Sequence, residues 1–599
     1  MKIKKKPQIN DQKDEQTRLI VFSVLSVIVV TTWSVFFPAK KHEDKSQYIE
    51  KTQTDILETT QNTDNDKRQL VKNNSLTDNK VNEQEVNLSL ENSLINSKQH
   101  RVKIENDSLI GSINLIGANI DDIKLKNYHE DKTGDKKVRI LSPRNTKKGY
   151  FITTGWVSVS GIAKTDLPNQ NTVWKANSKE LTPDRPLFLS YSNRNGQDFG
   201  IKFSIDSKYM INVEQFLINK SKKSFQVESF SMISRKITNP TKKSESYQGP
   251  VGYTEESFKE IPYKKLLAKN FNFKKEQNVW FGLSQKYWLS SIYSSEQASV
   301  HLRSKMLSDD YYKIRIIFKK TPVLMVPNAS NMSTTKLFVG SKNIKLLERY
   351  SKNNNIKLFS RAIDLGRLYF ITKPLLLMLG FINKVVNNYG LSIIVITIMV
   401  RLALIPLTNK SYHAMAKMKA LAPQIADLKK IHSNKKELDL ATLELYRKEK
   451  VNPLAGFVPL LMQIPIFFAL YKALYVSIDL RHSVFIKGWI NDLSVPDPTS
   501  FANLFGLLPF TPPQFLQIGV LPILMGLTMW LQQKSSSVGT LNKEQMVVIK
   551  YMPVLFVFLF SNFPAGLVLY WVVTNTFSII QEKIMNARKE KRLRVSQSK

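Results

Sequence analysis

Hydrophobic positions divide the chain into two unlike parts. Up to about Asp364 the sequence is mostly polar after one early apolar run, whereas apolar runs broken by short basic stretches dominate residues 369–580. Long apolar runs with few charges are typical of transmembrane helices. The pattern therefore predicts a polar part followed by a membrane-embedded part.

The early apolar run, residues 19–37, follows a basic N-terminus over residues 1–18. The run is long enough to cross a hydrocarbon core about 30 Å thick. Phe36, Phe37 and Pro38 end it, in place of the small-x-small site of a cleavable signal peptide, which is the alternative. We therefore expect an uncleaved transmembrane anchor whose basic end is cytoplasmic.

The polar part has two compositions. Residues 38–100 are rich in Asn, Asp, Gln, Lys, Ser and Thr and contain few aromatics, which predicts a flexible linker. Residues 101–345 alternate polar and apolar positions, as in 201–205 and 312–316, between Gly, Pro and Asn turns. Short alternating strands without helical periodicity predict an all-β, sandwich-like domain.

Residues 369–386 are apolar but carry charges at both ends. Lys373 and Lys384 leave only a short uncharged stretch between them, which as a helix rises about 15 Å, half a bilayer. We expect this helix to lie in the membrane interface. Counting it as a span would place the lysine-rich segment after residue 408 outside, against the positive-inside rule.

Five further apolar runs predict transmembrane helices, which with the anchor make six. They are residues 392–407, 455–476, 515–531, 546–560 and 566–580. Alternation from a cytoplasmic N-terminus places the β domain outside the cytoplasm. It also places three basic segments inside, residues 408–452, 532–545 and the basic tail 581–599, as the positive-inside rule requires.

Composition limits the chemistry that the chain can perform. The formal net charge is +38, there is no cysteine, and the seven histidines are scattered, so we predict no thiolate chemistry and no metal site. The sequence contains no phosphate-binding loop, zinc-protease motif or nucleophile elbow. We therefore expect a protein that is not an enzyme, with no catalytic residue and no cofactor.

Arg401 is the residue of the membrane part that bears most directly on function. It lies inside the run 392–407, about 9 Å from its cytoplasmic end. A cation at that depth faces a partner or a wet cavity, or else its side chain snorkels to the headgroups. The predicted spans contain no Asp or Glu to neutralise it, and Pro406 frees the carbonyl of Leu402, which favours a hydrated groove.

Other polar groups in the predicted spans could line the same groove or form ordinary hydrogen bonds between helices. These residues are Thr397, Gln463, Thr528, Thr574 and Asn575. Lys472, near the outer end of its span, is interpreted as a snorkelling anchor.

The segment 410–450 predicts a charged helical hairpin in the cytoplasm. Met415, Met418, Leu421, Ile425, Leu428 and Ile431 recur at helical spacing and form one apolar stripe, and Ser433 with Asn434 breaks the pattern. The hairpin could pack on itself or dock a partner. Similarly, the basic tail could orient the protein or contact ribosomal RNA or anionic lipid.

Long ordered stretches of the membrane part resemble the YidC/Oxa/Alb insertase family. The matching stretches are 389–401, 404–408, 451–456, 459–467, 521–526 and 563–571. The resemblance covers about residues 365–590, and the anchor with the β-rich domain looks like the Gram-negative type. Trp571 stands where several relatives have Tyr, and the Phe- and Pro-rich stretch 499–517 is longer than in some relatives.

The resemblance implies a fold and a function. The fold is a membrane α-helical bundle of six transmembrane helices, five of them forming the core, plus a periplasmic β-supersandwich. The function is insertion of nascent membrane proteins into the bacterial inner membrane through a hydrophilic groove, alone or with the Sec translocon. Client-binding residues in this picture are Arg401, Thr397, Gln463, Thr528, Trp571, Thr574 and Asn575.

The resemblance also implies partners at the membrane surface. Ribosomes and targeting factors would meet the cytoplasmic hairpin and tail, and no DNA is expected as a partner. Two alternatives from other classes are a small-solute transporter or channel, and a membrane-anchored periplasmic scaffold. A transporter is disfavoured by the single deep charge and by the lack of an evident inverted repeat.

Overall fold

The computed structural model describes residues 88–597, with gaps at 132–133, 243, 245, 433, 453–457, 511, 514–515 and 536–542. The predicted anchor, the basic N-terminus and the linker up to residue 87 lie outside the described residues.

The first half of the described chain is built from β-strands. Alternating burial along them, as in the strand Gln197–Ile205, follows the period of two that the sequence shows. The strands are β1 (Arg101–Glu105), β2 (Leu109–Asn114), β3 (Asn119–His129), β4 (Lys137–Leu141), β5 (Tyr150–Ser160), β6 (Lys175–Ala176), β7 (Glu180–Leu181), β8 (Leu187–Ser192), β9 (Gln197–Ile205), β10 (Met210–Asn219), β11 (Phe225–Thr238), β12 (Gly249–Thr254), β13 (Ser257–Glu260), β14 (Phe271–Glu276), β15 (Val279–Ser284), β16 (Trp288–Ser294), β17 (Ala298–Ser308), β18 (Tyr311–Lys320), β19 (Val323–Met325) and β20 (Ser330–Ser341).

The strands form two sheets. One has eleven strands in the order β14-β17-β18-β11-β5-β3-β2-β1-β7, with β19 paired to β11 and β4 to β3. The other has nine strands in the order β13-β12-β15-β16-β20-β10-β9-β8-β6. A single hydrophobic core contains residues of both sheets, among them Ile233 and Ile316 of the first and Trp280 and Phe338 of the second. The prediction of a β-rich domain is confirmed, and its two sheets share one core.

This domain extends beyond both boundaries that the sequence predicts. The linker prediction is wrong for residues 88–100, because α1 (Leu90–Asn96) is capped by the Ser89 side chain and tied to the loop before β5 by a hydrogen bond between Ser93 and Asn145. At the other end, α3 (Ile344–Asn353) and the segment up to Leu365 pack into the β core. A further short helix, α2 (Tyr263–Ala268), lies between β13 and β14.

The second half of the described chain is helical, as predicted. Its helices are α4 (Tyr369–Val386), α5 (Tyr389–Ala420), α6 (Ala422–Ile431), α7 (Lys435–Lys448), α8 (Val458–Val476), α9 (Val520–Ser535), α10 (Lys543–Phe560) and α11 (Ala565–Gln597).

In the described part of the chain, two helices are long and apolar enough to cross a membrane. They are α4 and α5, and two shorter apolar helical stretches occur at Leu461–Val476 and Lys550–Phe560. The sequence places α4 in the interface, whereas its length and composition also fit a span. The number of six spans therefore stays a prediction.

Two helices run past the ends of the predicted spans. α5 continues through Pro406 to Ala420 and α6 begins at Ala422, so the first arm of the predicted hairpin starts as an extension of α5 and is interrupted at Leu421. Ser433, at the predicted break, lies outside the described residues. α11 continues from the last apolar run into the basic tail without a break. The charged segments therefore begin on the same rigid helices as the apolar ones.

Polar contacts join the β domain to the helical part. The Lys472 amino group forms an ion pair with Asp364 at 2.8 Å, so the interpretation of Lys472 as a snorkelling anchor is wrong. Asn343, at the start of α3, donates its side-chain amide to Asp479 at 3.0 Å. The Arg481 guanidinium donates to the carbonyl of Glu130 at 2.8 Å. These contacts fix the domain at one end of α8.

Candidate functional site

A row of polar side chains lies where α5 and α11 pack together. On α11 Tyr570, Thr574, Ser578 and Gln581 recur at steps of three or four residues, which places them on one helix face. On α5 Thr397, Arg401, Thr408 and Ser411 are spaced by four, seven and three residues, which is one, two and one helix turns, so they also share one face. All of them are buried except Arg401, which is half-buried. We call these eight residues the polar seam.

Arg401 has two tyrosines in its electrostatic neighbourhood. Tyr570 on α11 and Tyr412 on α5 are near enough to influence its guanidinium, although among the described residues neither phenol is hydrogen-bonded to it. Among the described residues no Asp or Glu lies within ion-pair distance of Arg401. A half-buried guanidinium with several unused donors remains able to bind an incoming anionic or polar group.

Two of the predicted groove residues, Gln463 and Thr574, lie next to Tyr570, the tyrosine of α11 that is near Arg401. The buried Gln463 amide on α8 donates a hydrogen bond to the Tyr570 hydroxyl at 2.8 Å. The Thr574 hydroxyl lies one helix turn along α11, where it is buried without a hydrogen-bond partner among the described residues. Three helices therefore bring hydrogen-bonding groups to the neighbourhood of Arg401.

Three other predicted groove residues form hydrogen bonds that do not involve Arg401 or Tyr570. The Thr397 hydroxyl donates to the carbonyl of Ile393 in its own helix at 2.6 Å. Asn575 donates to the Thr528 hydroxyl at 3.3 Å, which links α11 to α9. Their hydrogen bonds are those of helix packing.

Trp571 belongs to an aromatic cluster and not to the polar seam. Its ring lies 5.0 Å from that of Phe467 on α8 and 5.2 Å from that of Phe560 on α10, measured between centroids. Phe556 completes the cluster at 6.3 Å. The indole therefore packs three helices together.

The end of the seam nearer the C-terminus of α11 lies beside groups that sequence reasoning missed. Gln581 donates to the Thr408 hydroxyl at 2.7 Å and to the Asn409 side chain at 2.9 Å. Glu582 is buried and interacts electrostatically with Tyr412. Both residues lie just beyond the predicted span 566–580, and the helical spacing from Tyr570 through Ser578 is the signal that could have found them.

The seam offers hydrogen bonding and positive charge, but no group arranged for covalent chemistry. Within the described residues no cluster of three or more His, Cys, Asp or Glu side chains could hold a metal ion. The arrangement can hold a polar or acidic segment transiently.

A β-sandwich followed by long apolar helices that enclose an arginine defines an integral membrane protein with a large soluble domain. Residues 101–378 match the family model of the YidC periplasmic domain, and residues 381–592 match that of the 60Kd inner membrane protein. The chain belongs to the YidC family of membrane protein insertases.

Two relatives agree in sequence with this assignment. The membrane protein insertases YidC of Rickettsia felis and Rickettsia prowazekii are each 42% identical over 488 residues, covering 80% of this chain and 86% of theirs. A crystal structure of an active YidC insertase with its first transmembrane domain resolved is 15% identical and covers 80% of this chain and 92% of that chain, with a TM-score of 0.34. The family match favours an insertion factor over the transporter, channel and scaffold alternatives.

Proposed function

We propose that this chain helps newly made proteins enter the bacterial inner membrane, and that the polar seam is the groove that receives them. The observation that supports the groove is Arg401, a cation among hydroxyls and amides of α5, α8 and α11. In this proposal Arg401 holds polar or acidic segments of a client while the client's apolar segment moves along α8 and α10 into lipid.

The groove would shorten the stretch of hydrocarbon that a polar segment of the client has to cross. A polar segment that crosses hydrocarbon loses its hydrogen bonds to water, which costs several kcal/mol for each unsatisfied group. A hydrated groove replaces those bonds over part of the bilayer. Burial of the client's apolar helix contributes roughly 25 cal/mol for each Å² removed from water, so no nucleotide is needed to drive the step.

The proposed arrangement has six transmembrane helices with both termini in the cytoplasm. It is supported by the basic character of 408–452, 532–545 and 581–599 and by the positive-inside rule. It places the β domain in the periplasm and α4 in the outer interface.

The proposed partners follow from the charged helical segments. α6 and α7 carry the hairpin, and the basic end of α11 adds Lys and Arg beyond the membrane. These surfaces suit ribosomes or targeting factors, and the Sec translocon is the partner expected in the membrane.

Arg401 variants test the groove. We expect Arg401→Lys to retain most client insertion, because attraction for acidic segments needs a positive charge more than the fork of a guanidinium. Arg401→Ala should insert clients several-fold more slowly, and Arg401→Glu should fail because it repels acidic segments. The measurement is protease protection of single-span clients in cells depleted of the native protein, with variant abundance checked by blotting.

The matched control is Lys384→Ala, which removes an exposed cation of α4, outside the polar seam and outside the two helices of the proposed client path. It should leave insertion unchanged. Full activity of both Arg401→Ala and Arg401→Glu at normal abundance would show that Arg401 only snorkels.

A further inference from the structure

The β domain contains a cavity of about 1870 Å³ that the insertion mechanism does not use. Its wall is formed by α1, the loop before β5, the end of β11 and the start of α2, and Tyr475 of α8 also lines it. The described lining residues include ten Lys or Arg and three Asp or Glu, so the cavity is strongly positive. Such a lining favours an anionic occupant.

Arg235 is one of the basic residues that line the cavity. It is paired with Tyr150 across β11 and β5, and its guanidinium lies 4.9 Å from the centroid of the Tyr150 ring. Among the described residues no carboxylate forms an ion pair with Arg235. The ring contact fixes the guanidinium but leaves its N–H groups available, and such a fork fits the oxygens of a phosphate group.

Exposed lysines add positive charge to the lining. Lys147 and Lys148 lie in the loop before β5, Lys242 follows β11, and all three are exposed and line the cavity. Tyr150 and Tyr263 also line it, but their hydroxyl oxygens are closed off from solvent. Arg235 and the exposed lysines are therefore the groups that an anionic ligand can reach.

The cavity adjoins the helical part of the protein. Tyr475 lies next to the last residue of α8, and the Lys286 amino group lies 3.7 Å from its ring centroid. Tyr247, also in the lining, donates its backbone N–H at 2.7 Å to Asp364, the carboxylate that pairs with Lys472. In the proposed topology this end of α8 reaches the outer headgroup layer.

We propose that this cavity is a binding site for a phosphate-bearing ligand, with Arg235 as the anion anchor and the exposed Lys147, Lys148 and Lys242 as additional donors. A phospholipid headgroup is the favoured source because Tyr475 brings the cavity to the end of α8. Free phosphate has the same chemistry. The site is independent of the polar seam.

Calorimetric titration of the full chain in a neutral detergent tests the site. The probes are short-chain phosphatidylglycerol below its micelle concentration and inorganic phosphate. We expect saturable binding that Arg235→Gln weakens at least tenfold and Lys148→Gln weakens several-fold. Lys148 is an exposed residue of the lining, so its substitution should leave the fold intact even if Arg235→Gln does not.

Two matched controls separate the site from general attraction to a basic protein. Arg303→Gln removes the same charge from β17, outside the cavity lining, and Lys352→Gln removes an exposed lysine of α3, also outside the lining. Neither should change binding. Tighter binding of the lipid assigns a headgroup, and equal binding of inorganic phosphate assigns free phosphate; both support a phosphate site. No saturable binding of either probe, or equal weakening by Arg303→Gln and Arg235→Gln, overturns it.

Discussion

Lys342 shows how one residue couples the stability of the β domain to pH. Only 2% of its surface is exposed, and its amino group donates to the Ser284 hydroxyl at 2.9 Å and to the Ala362 carbonyl at 3.3 Å. Burial lowers its pKa from 10.5 to about 7, even though Asp364 and Glu260 favour the charged form and Lys472 opposes it. Folding therefore releases a proton from Lys342 between these two pH values.

Lys342 makes the folded protein more stable as the pH rises. Between pH 7 and 10.5 the unfolded chain binds a proton at Lys342 that the folded chain does not, so this residue makes the free energy of unfolding rise with pH. One pH unit of full linkage corresponds to about 1.4 kcal/mol. Lys342→Met should reduce the gain in stability between pH 7.5 and 9.5 by about 2–3 kcal/mol.

Urea unfolding of the detergent-solubilised protein at the two pH values measures this effect. Lys352→Met, at an exposed position of α3, is the control and should keep the wild-type slope. Equal slopes for wild type and Lys342→Met would mean that Lys342 stays protonated in the folded protein.

At the scale of elements, the connection between α8 and α9 exposes an unusual apolar surface. Phe501, Leu504, Phe505, Leu507 and Phe510 are each more than 40% exposed, and Leu507 reaches 82%. Leu504 and Phe505 have φ values of 49° and 60°, a backbone region that bulky residues rarely adopt. Exposing these apolar side chains to water is unfavourable. We therefore expect this segment to lie in the outer lipid leaflet.

Cysteine labelling tests this placement, since the native chain has no cysteine. A polarity-sensitive fluorophore on Leu507→Cys should emit at shorter wavelength and be quenched by brominated lipid. Met332→Cys is the control: Met332 is 58% exposed on β20, and nine strand residues, about 30 Å, separate it from Ser341 beside the helical part. Identical emission from both sites would contradict insertion of the loop.

At the scale of the whole molecule, the β domain and the polar seam are separate. Every residue of the seam comes from α5 or α11, and its partners come from α5 and α8. Replacing residues 101–365 by a flexible linker should therefore leave insertion of single-span clients within a few-fold of wild type. Client protection in depleted cells is the measurement, and Arg401→Glu in the full chain provides the inactive reference. Complete loss of insertion at normal abundance would instead favour the scaffold alternative.

Sequence alone predicted the features that depend on local pattern. Alternation with a period of two identified the β-rich domain, because each strand buries one face. Apolar runs predicted the helices of the membrane part, and the absence of a nearby carboxylate in the same runs singled out Arg401. The ordered matches through 389–571 then gave the family, and its models and relatives confirmed it.

Tertiary structure decided which polar groups meet. Gln463 bonds to Tyr570, a residue that sequence reasoning did not select, because the contact depends on how α8 packs on α11. Lys472 pairs with Asp364, more than a hundred residues away, so no local pattern could reveal it. The lining of the β-domain cavity likewise comes from α1, β5, β11, α2 and α8. Sequence periodicity specifies which face of an element is buried, whereas the partner of that face is fixed only when the elements pack.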